Sequence, residues 1–365
     1  MAAPMDPALA RLVDGVQTAR AVKGTLDIRG GGTKAFYGET ARGEPLDVQE
    51  LSGISCYEPS ELVVTVRAGT PLAELEAVVA EKGQCLPFEP PRFAPGGTVG
   101  GMVAAGLAGP ARPTAGTVRD YVLGVTLLSG RAEVLTFGGQ VMKNVAGYDV
   151  SRVLAGSLGM LGVLCEVSLK VLPLPAATAT LRFEMAQPAA LRTLNEWAGQ
   201  PLPLTGSAWW DGMLVVRLAG ARAAVKAAAT RLGGEAIEPA LAATFWAGLR
   251  DHLDEFFVGA KKAAQGAAAL WRVSLPQTAP PLTLSGEQLV EWGGAQRWLA
   301  TSTPAAAVRE AAQRLGGHAT LFYSSDRSIP VFTPLAPPLA TIHERLKNAF
   351  DPDRVFNAGR MFPKL

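Results

Sequence analysis

The chain has 365 residues and a mass of 38.1 kDa, with 48% hydrophobic and 18% charged residues, so it can bury sizeable cores and is not of disordered composition. A formal net charge of +2 gives no basic surface for nucleic acid. A mean hydropathy of +0.18 is high, but no apolar run of roughly eighteen residues escapes charges or Gly/Pro breaks, which argues against a spanning helix.

The first twenty residues carry Asp6, Arg11, Asp14 and Arg20 and no apolar stretch of leader type, so a cytoplasmic protein is expected. From there the order is a short strand over Thr25–Ile28, a triple glycine at Gly30–Gly32, and a strand over Leu62–Arg67. A helix follows, with Thr70 as the expected cap, Pro71 at its first position, Leu72, Leu75, Val78 and Val79 on one face, and Gly83 past its end. Glycines cluster again over Gly96–Gly101, before a small-residue segment Met102–Leu107. Strands are expected over Val122–Leu128, Glu133–Phe137 and Val163–Val171. Pro173-Leu174-Pro175 reads as a linker.

The second half is richer in Ala and Trp and contains an echo. Ala224-Val225-Lys226-Ala227-Ala228-Ala229-Thr230-Arg231-Leu232-Gly233-Gly234 recurs as Ala307-Val308-Arg309-Glu310-Ala311-Ala312-Gln313-Arg314-Leu315-Gly316-Gly317. Each copy reads as a helix ended by Gly-Gly and preceded by a strand, Met213–Leu218 or Gln296–Ala300, and Ala319–Tyr323 follows as another strand. Either the unit is duplicated, as in an antiparallel sheet with helices on one face of ferredoxin-like type, or two Ala-rich helices converged by composition. A last helix is expected over Pro337–Ala349, then an irregular tail.

Chemistry is limited by what is scarce. Cys56, Cys85 and Cys165 are widely spaced and cannot alone complete an iron–sulfur or structural zinc site. His252, His318 and His343 lie out of helical reach of one another, so no metal site is expected. The glycines are the informative residues. Arg29-Gly30-Gly31-Gly32-Thr33-Lys34 can turn several N–H groups toward one anion, with two cations and a hydroxyl beside them. It fits neither a Walker loop nor Gly-x-Gly-x-x-Gly, and alone it reads better as a flexible hairpin turn. Three further segments change that balance: Pro95-Gly96-Gly97-Thr98-Val99-Gly100-Gly101, Lys143-Asn144-Val145-Ala146-Gly147-Tyr148-Asp149, and Gly156-Ser157-Leu158-Gly159-Met160-Leu161-Gly162-Val163. Four such segments within roughly 130 residues point to one extended ligand threaded between them, of dinucleotide length.

In this order the four segments, with the tail Phe350-Asp351-Pro352 and Phe356-Asn357-Ala358-Gly359-Arg360-Met361, resemble the FAD-binding domain of the vanillyl-alcohol oxidase/PCMH superfamily. Within it, the Lys-Asn-Val-Ala-Gly-Tyr-Asp spelling and the short cap are similar to the smaller FAD-binding subunits of bacterial glycolate oxidases. The resemblance implies an α+β fold: a PCMH-type FAD-binding domain over residues 1–174, a smaller ferredoxin-like α+β cap with duplicated strand–helix units over 175–336, and a C-terminal helix and tail over 337–365 returning to the first domain. It implies that Arg29, Gly30, Gly31, Gly32, Thr33 and Lys34 hold the FAD pyrophosphate, with Pro95, Gly96, Gly97, Thr98, Val99, Gly100 and Gly101 against the pyrophosphate and flavin. Gly116, Thr117, Arg119 and Asp120 form a further cofactor turn; Gly156, Ser157, Gly159, Gly162 and Val163 lie near the adenine and ribityl parts; Asn144, Gly147 and Tyr148 line the cleft.

The departures carry information too. Relatives with covalent flavin have a His at or just after the first loop; here the reading is Gly32-Thr33-Lys34, and no histidine precedes His252, so noncovalent FAD is expected. Gly156-Ser157-Leu158-Gly159-Met160 lacks the carboxylate usual in family dehydrogenases. Oxidising a 2-hydroxy acid needs a base and a carboxylate-binding cation. His318 is the catalytic-base candidate, and Arg272, Arg297 and Arg327 the carboxylate candidates. The resemblance implies partners: a larger catalytic FAD subunit and an iron–sulfur subunit, with any membrane contact made through them at its inner face. A self-sufficient flavin oxidoreductase of a hydroxy acid or other alcohol, and a non-redox scaffold with structural FAD, are the competing functions. The tryptophans of the second half fit either core packing or a subunit interface.

Overall fold

An amphipathic helix opens the chain. Helix α1 (Pro7–Ala21) is capped by Asp6, whose side chain accepts from the N–H groups of Ala8 and Leu9, and it buries Leu12, Val16 and Ala19. The computed structural model describes residues 6–139, 149–363 and 365. Strands β1 (Leu26–Arg29) and β2 (Glu44–Asp47) pair in parallel beneath α1, and Leu26 also bridges Phe356 of the tail. Beside them lies a five-stranded antiparallel sheet of β3 (Ile54–Glu58), β4 (Val63–Arg67), β5 (Val122–Leu128), β6 (Val134–Gly138) and β7 (Val163–Lys170), in the order β3-β4-β7-β5-β6. Its central strands run apolar on both faces because both are covered. One face packs on helices α2 (Leu72–Glu81) and α3 (Val99–Ala105) through Val64, Leu75, Val79, Met102, Val103 and Val167; on the other side α1 covers Leu128, Val163 and Cys165.

Thr70 does not cap α2. Its hydroxyl is fully buried, donates to Arg67 O and accepts from Gly53 N, and Pro71 takes the cap position. The segment read only as small-residue chain is α3, capped by Thr98, whose Oγ1 accepts from Gly101 N at 3.2 Å.

The cap is one eight-stranded antiparallel sheet built twice from the same unit. The first copy runs β8 (Ala177–Glu184), α4 (Gln187–Ala198), β9 (Leu204–Trp210), β10 (Met213–Gly220), α5 (Arg222–Leu232) and β11 (Glu235–Ile237). After a helical hairpin, α6 (Pro239–Asp251) and α7 (Glu255–Ala263), the second runs β12 (Ala269–Ser274), β13 (Glu287–Glu291), β14 (Gln296–Thr301), α8 (Ala305–Arg314) and β15 (His318–Tyr323). The sheet order is β11-β8-β10-β9-β13-β14-β12-β15, so each half shows the fourth–first–third–second arrangement of a ferredoxin-like unit, and the halves join edge to edge through Ala208↔Glu291 and Trp209↔Val290. The echo helices α5 and α8 hold equivalent places. In the second half a loop, not a helix, links the first two strands, and the fully buried Arg297 secures it by donating to the carbonyls of Ala279, Pro280 and Gly294.

Trp246, Trp271, Trp292 and Trp298 are buried within this chain, so those tryptophans are core and not free interface. The C-terminal helix α9 (Pro337–Phe350) runs back to the first sheet, with Phe350 against Phe137. Among the described residues no helix is long and apolar enough to cross a membrane, and no group of three His, Cys, Asp or Glu side chains comes together as a metal site.

Candidate functional site: a glycine-walled groove

Strand β1 ends at Arg29 and delivers the chain into Gly30–Gly32, after which two tight turns, Ala35 N to Gly32 O and Tyr37 N to Lys34 O, close the loop. Among the described residues, none of the main-chain N–H groups from Gly30 to Lys34 donates to a protein acceptor. Five consecutive donors left open around one loop make a preformed anion nest. The same residues line a groove of about 260 Å³, together with Arg29, Thr98, Gly101, Ala104, Leu158, Asn357 and Arg360.

The second loop is the wall behind the first. A Cβ at Gly31 would lie 1.6 Å from Gly96 O, and one at Gly30 would lie 2.3 Å from Thr98 Oγ1, so the two loops touch backbone to backbone. Leu72 N donates to Gly97 O, Val99 N to Thr70 O and Gly100 N to Ala68 O, which pins the wall to α2 and β4. Gly96 has φ +86° and open space around it; Gly100 instead packs its Cα on Ala68. These glycines therefore serve two needs, conformation and close packing, and Val99 is simply core.

The fourth segment enters from the far end of α3. Gly156 N donates to Val103 O and Leu158 N to Ala104 O, and Leu158 lines the groove. Gly159 (φ +73°) packs on the Asn357 amide, Gly162 on Leu128 O, Ser157 is buried, and Val163 begins β7. Gly116, Thr117, Arg119 and Asp120 are not part of the groove wall: Asp120 accepts from the N–H and hydroxyl of Thr117 in a capping box, which holds its carboxyl below the usual range, and Arg119 and Asp120 are exposed. Asn144, Gly147 and Tyr148 lie outside the described residues.

The tail completes the site. Asn357 Oδ1 accepts from Ile28 N at 2.8 Å and its Nδ2 donates to Leu158 O at 2.6 Å, tying β1 to the fourth segment. Arg360, buried, donates to the carbonyls of Ala35, Tyr37 and Glu39 and so grips the chain just past the nest. Asp27, also buried, accepts from Arg29 Nε at 2.6 Å. Asp27 was not legible as a site residue, since a lone acid in a strand carries no signal; Asn357 and Arg360 were visible only through the resemblance of the tail.

The cap's inner face closes over the other end of this region. Arg272 donates from Nη2 to Tyr37 Oη at 3.0 Å, and its guanidinium lies over the rings of Tyr37 and Phe322. Next to it is a small polar cavity of about 20 Å³, lined among others by His252, Arg272, Glu291 and Gln296, which is room for about one water. His252 is buried, stacked on Phe257 at 3.7 Å, and its Nδ1 has no partner among the described residues; burial pushes its pKa well down. Burial likewise pushes the Glu291 carboxyl up to about 7, although it accepts from Trp298 Nε1 and Gln296 Nε2. His318, the base candidate, shares this sheet face with Arg272 but sits at the exposed start of β15 and lines neither groove nor cavity. Arg297 is consumed by backbone carbonyls, and Arg327 donates to Phe36 O from the surface.

Comparison with known proteins adds four findings. Residues 9–138 match the family model described as "FAD binding domain". The chain is 46% identical to the glycolate oxidase subunit GlcE of Escherichia coli (strain K12) over 354 residues, covering 97% of each protein. It is 30% identical to the glycolate oxidase subunit GlcD of Bacillus subtilis (strain 168) over 181 residues, covering 48% of this chain and 38% of that protein. A solved structure of alkyldihydroxyacetonephosphate synthase superposes with a TM-score of 0.65 at 14% identity, covering 95% of this chain and 74% of that one, a likeness of fold.

Proposed function

This chain belongs to the family of FAD-binding glycolate oxidase subunits, and from that premise we propose that it binds one FAD noncovalently and works as the smaller flavoprotein subunit of a glycolate oxidase complex. The observation that carries the reading is the open nest: among the described residues the five N–H groups from Gly30 to Lys34 have no protein acceptor, and they lie beside a half-buried cation on a groove walled by glycine backbone. That donor set fits a pyrophosphate. Gly30–Lys34 would hold it, Thr98 and Gly101 would wall the groove, and Asn357 and Arg360 keep the loop in place.

Bound FAD would supply the redox chemistry, the oxidation of glycolate to glyoxylate with electrons passed to an iron–sulfur partner. What this chain's residues do is bind, orient and exclude water. An aromatic cluster of Phe36, Phe93, Trp298 and Phe322, with ring centroids 4.8–6.1 Å apart along it, packs against Tyr37 of the groove through Phe322. No histidine occurs before His252 in the sequence, which supports noncovalent attachment. The 46% identity to a glycolate oxidase subunit over 97% of both proteins supports a subunit role beside a larger FAD subunit over self-sufficient substrate oxidation.

Acid precipitation of the purified chain should release yellow FAD into the supernatant at about one per chain. Colour retained in the pellet would overturn noncovalent attachment. Glycolate added to the isolated, flavin-loaded chain should leave the flavin spectrum unchanged, whereas bleaching without partners would make the chain self-sufficient.

A further inference from the structure

Three arginines and lysines line the groove, and two are already engaged. Arg29 pairs with Asp27 at 2.6 Å, and Arg360 gives its donors to three carbonyls. Lys34 remains. The residue is half-buried, its ammonium 3.4 Å from Thr33 Oγ1 and 5.5 Å from the centre of the Phe93 ring, and among the described residues no carboxylate lies within ion-pair distance. The acids that face it from other elements are Glu76 of α2 and Asp251 of α6, and each is held by an arginine, Arg92 at 2.6 Å and Arg250 at 2.6 Å. Lys34 is therefore a half-buried cation with no ion-pair partner among the described residues, placed at the edge of an anion nest.

We propose that Lys34 couples cofactor loading to proton uptake: the dinucleotide's phosphates supply the missing counter-charge, and Lys34 takes up and keeps a proton as they arrive. This rests on the FAD reading above and adds to it a thermodynamic consequence. The sign follows from linkage. Desolvation, the dominant cause, lowers the empty site's Lys34 to about 8 from 10.5; an adjacent anion favours the charged form and raises it. Between those values the empty protein is deprotonated and the complex is not, so binding consumes a proton and weakens as pH rises.

Calorimetric titration of the flavin-stripped full chain with FAD, in buffers of differing ionisation enthalpy, measures the uptake directly. Near pH 7 it should be close to zero, and near pH 9 it should approach one proton per FAD, with affinity falling by up to about tenfold per pH unit above about 8. Lys34→Arg keeps the charge at every accessible pH, so it should bind FAD with no proton uptake and a flat pH profile. Lys34→Gln should bind at least about tenfold more weakly near pH 7, again without uptake. Wild-type binding near pH 9 with no proton uptake overturns the Lys34 inference and leaves the FAD reading standing. A folded chain that binds no FAD at any pH overturns both. The wild-type measurement needs no variant, so a misfolded substitution does not blur the outcome.

Discussion

A methyl group on Gly31 has nowhere to go, because the neighbouring carbonyl of Gly96 would be 1.6 Å away and belongs to backbone pinned at the next residue, where Gly97 O accepts from Leu72 N. Gly31→Ala should therefore separate the two loops, cost roughly 3 kcal/mol in stability and abolish FAD retention. Gly97→Ala meets side chains alone, the nearest being Thr33 Oγ1 at 3.1 Å, and should retain most of its flavin. Equal flavin content in the two variants, measured by absorbance after gel filtration, would count against the loop packing described. Glu291 offers a second test at this scale. Its folded carboxyl titrates near 7 against 4.5 when unfolded, so the folded state binds the proton more tightly. That stabilisation is fully present below about pH 4.5 and is lost as pH rises through about 7. Glu291→Gln should remove a pH-dependent component on the order of 3 kcal/mol between those limits, visible in denaturant midpoints taken from pH 5 to about pH 8. The glycine clusters were legible in sequence as a group, but not which glycine meets backbone and which meets open space. That distinction depends on contacts between Gly31 and Gly96, or Gly106 and Gly156, which no local pattern encodes.

Whole elements were read most reliably where apolar periodicity and punctuation agree. The Val122–Leu128 strand matches to the residue, and the echo helices appear as α5 and α8, each just before a positive-φ glycine, Gly233 or Gly316. Local pattern misleads where tertiary contacts reassign a side chain. Thr70 has every local credential of a cap, yet its hydroxyl serves Gly53 and Arg67. The C-terminal element shows the same limit in stronger form. Helix α9 looks like a surface helix, and most of it is exposed, but Lys347 is fully buried and donates to Asp351 Oδ2, Met160 O and Phe356 O at 2.7–2.8 Å. Asp351 in turn accepts from Val355 N and Phe356 N. This staple positions the tail that carries Asn357 and Arg360. Lys347→Met should cost about 3–5 kcal/mol by leaving a buried carboxylate unpaired, and should loosen FAD while leaving the cap's near-ultraviolet signal in place. A variant with normal flavin affinity would show that the tail is held by other contacts.

At the scale of the molecule, the groove owes its rigidity to a core that the cap and the first region share. Tyr37, Ala105 and Leu107 from the groove side pack in one cluster with Trp246, Leu249, Phe257, Trp298 and Phe322 of the cap. Polar ties cross the same seam: Trp292 Nε1 to Gly109 O at 3.1 Å, Arg92 N to Asp251 Oδ1 at 2.9 Å, and Arg217 to Glu89 at 2.7 Å, with Glu89 also accepting from Ala111 N. A cap cut free would expose that aromatic face and leave Asp251 and Arg217 without their opposite numbers, while the first region would lose the lid over Tyr37 and Lys34. Interfaces this apolar unfold together with what they join, whereas polar domain contacts allow separate melting. The full chain should accordingly show a single transition, with far- and near-ultraviolet dichroism changing at the same denaturant concentration. Residues 175–336 expressed alone should bind a hydrophobic dye and lack a cooperative transition. FAD should raise the midpoint of the whole chain, because it binds only the joined state. A cap fragment that melts sharply by itself, or a full chain whose two probes diverge, would mean that the groove and the cap are independent bodies and that the shared core adds little to holding the nest in shape.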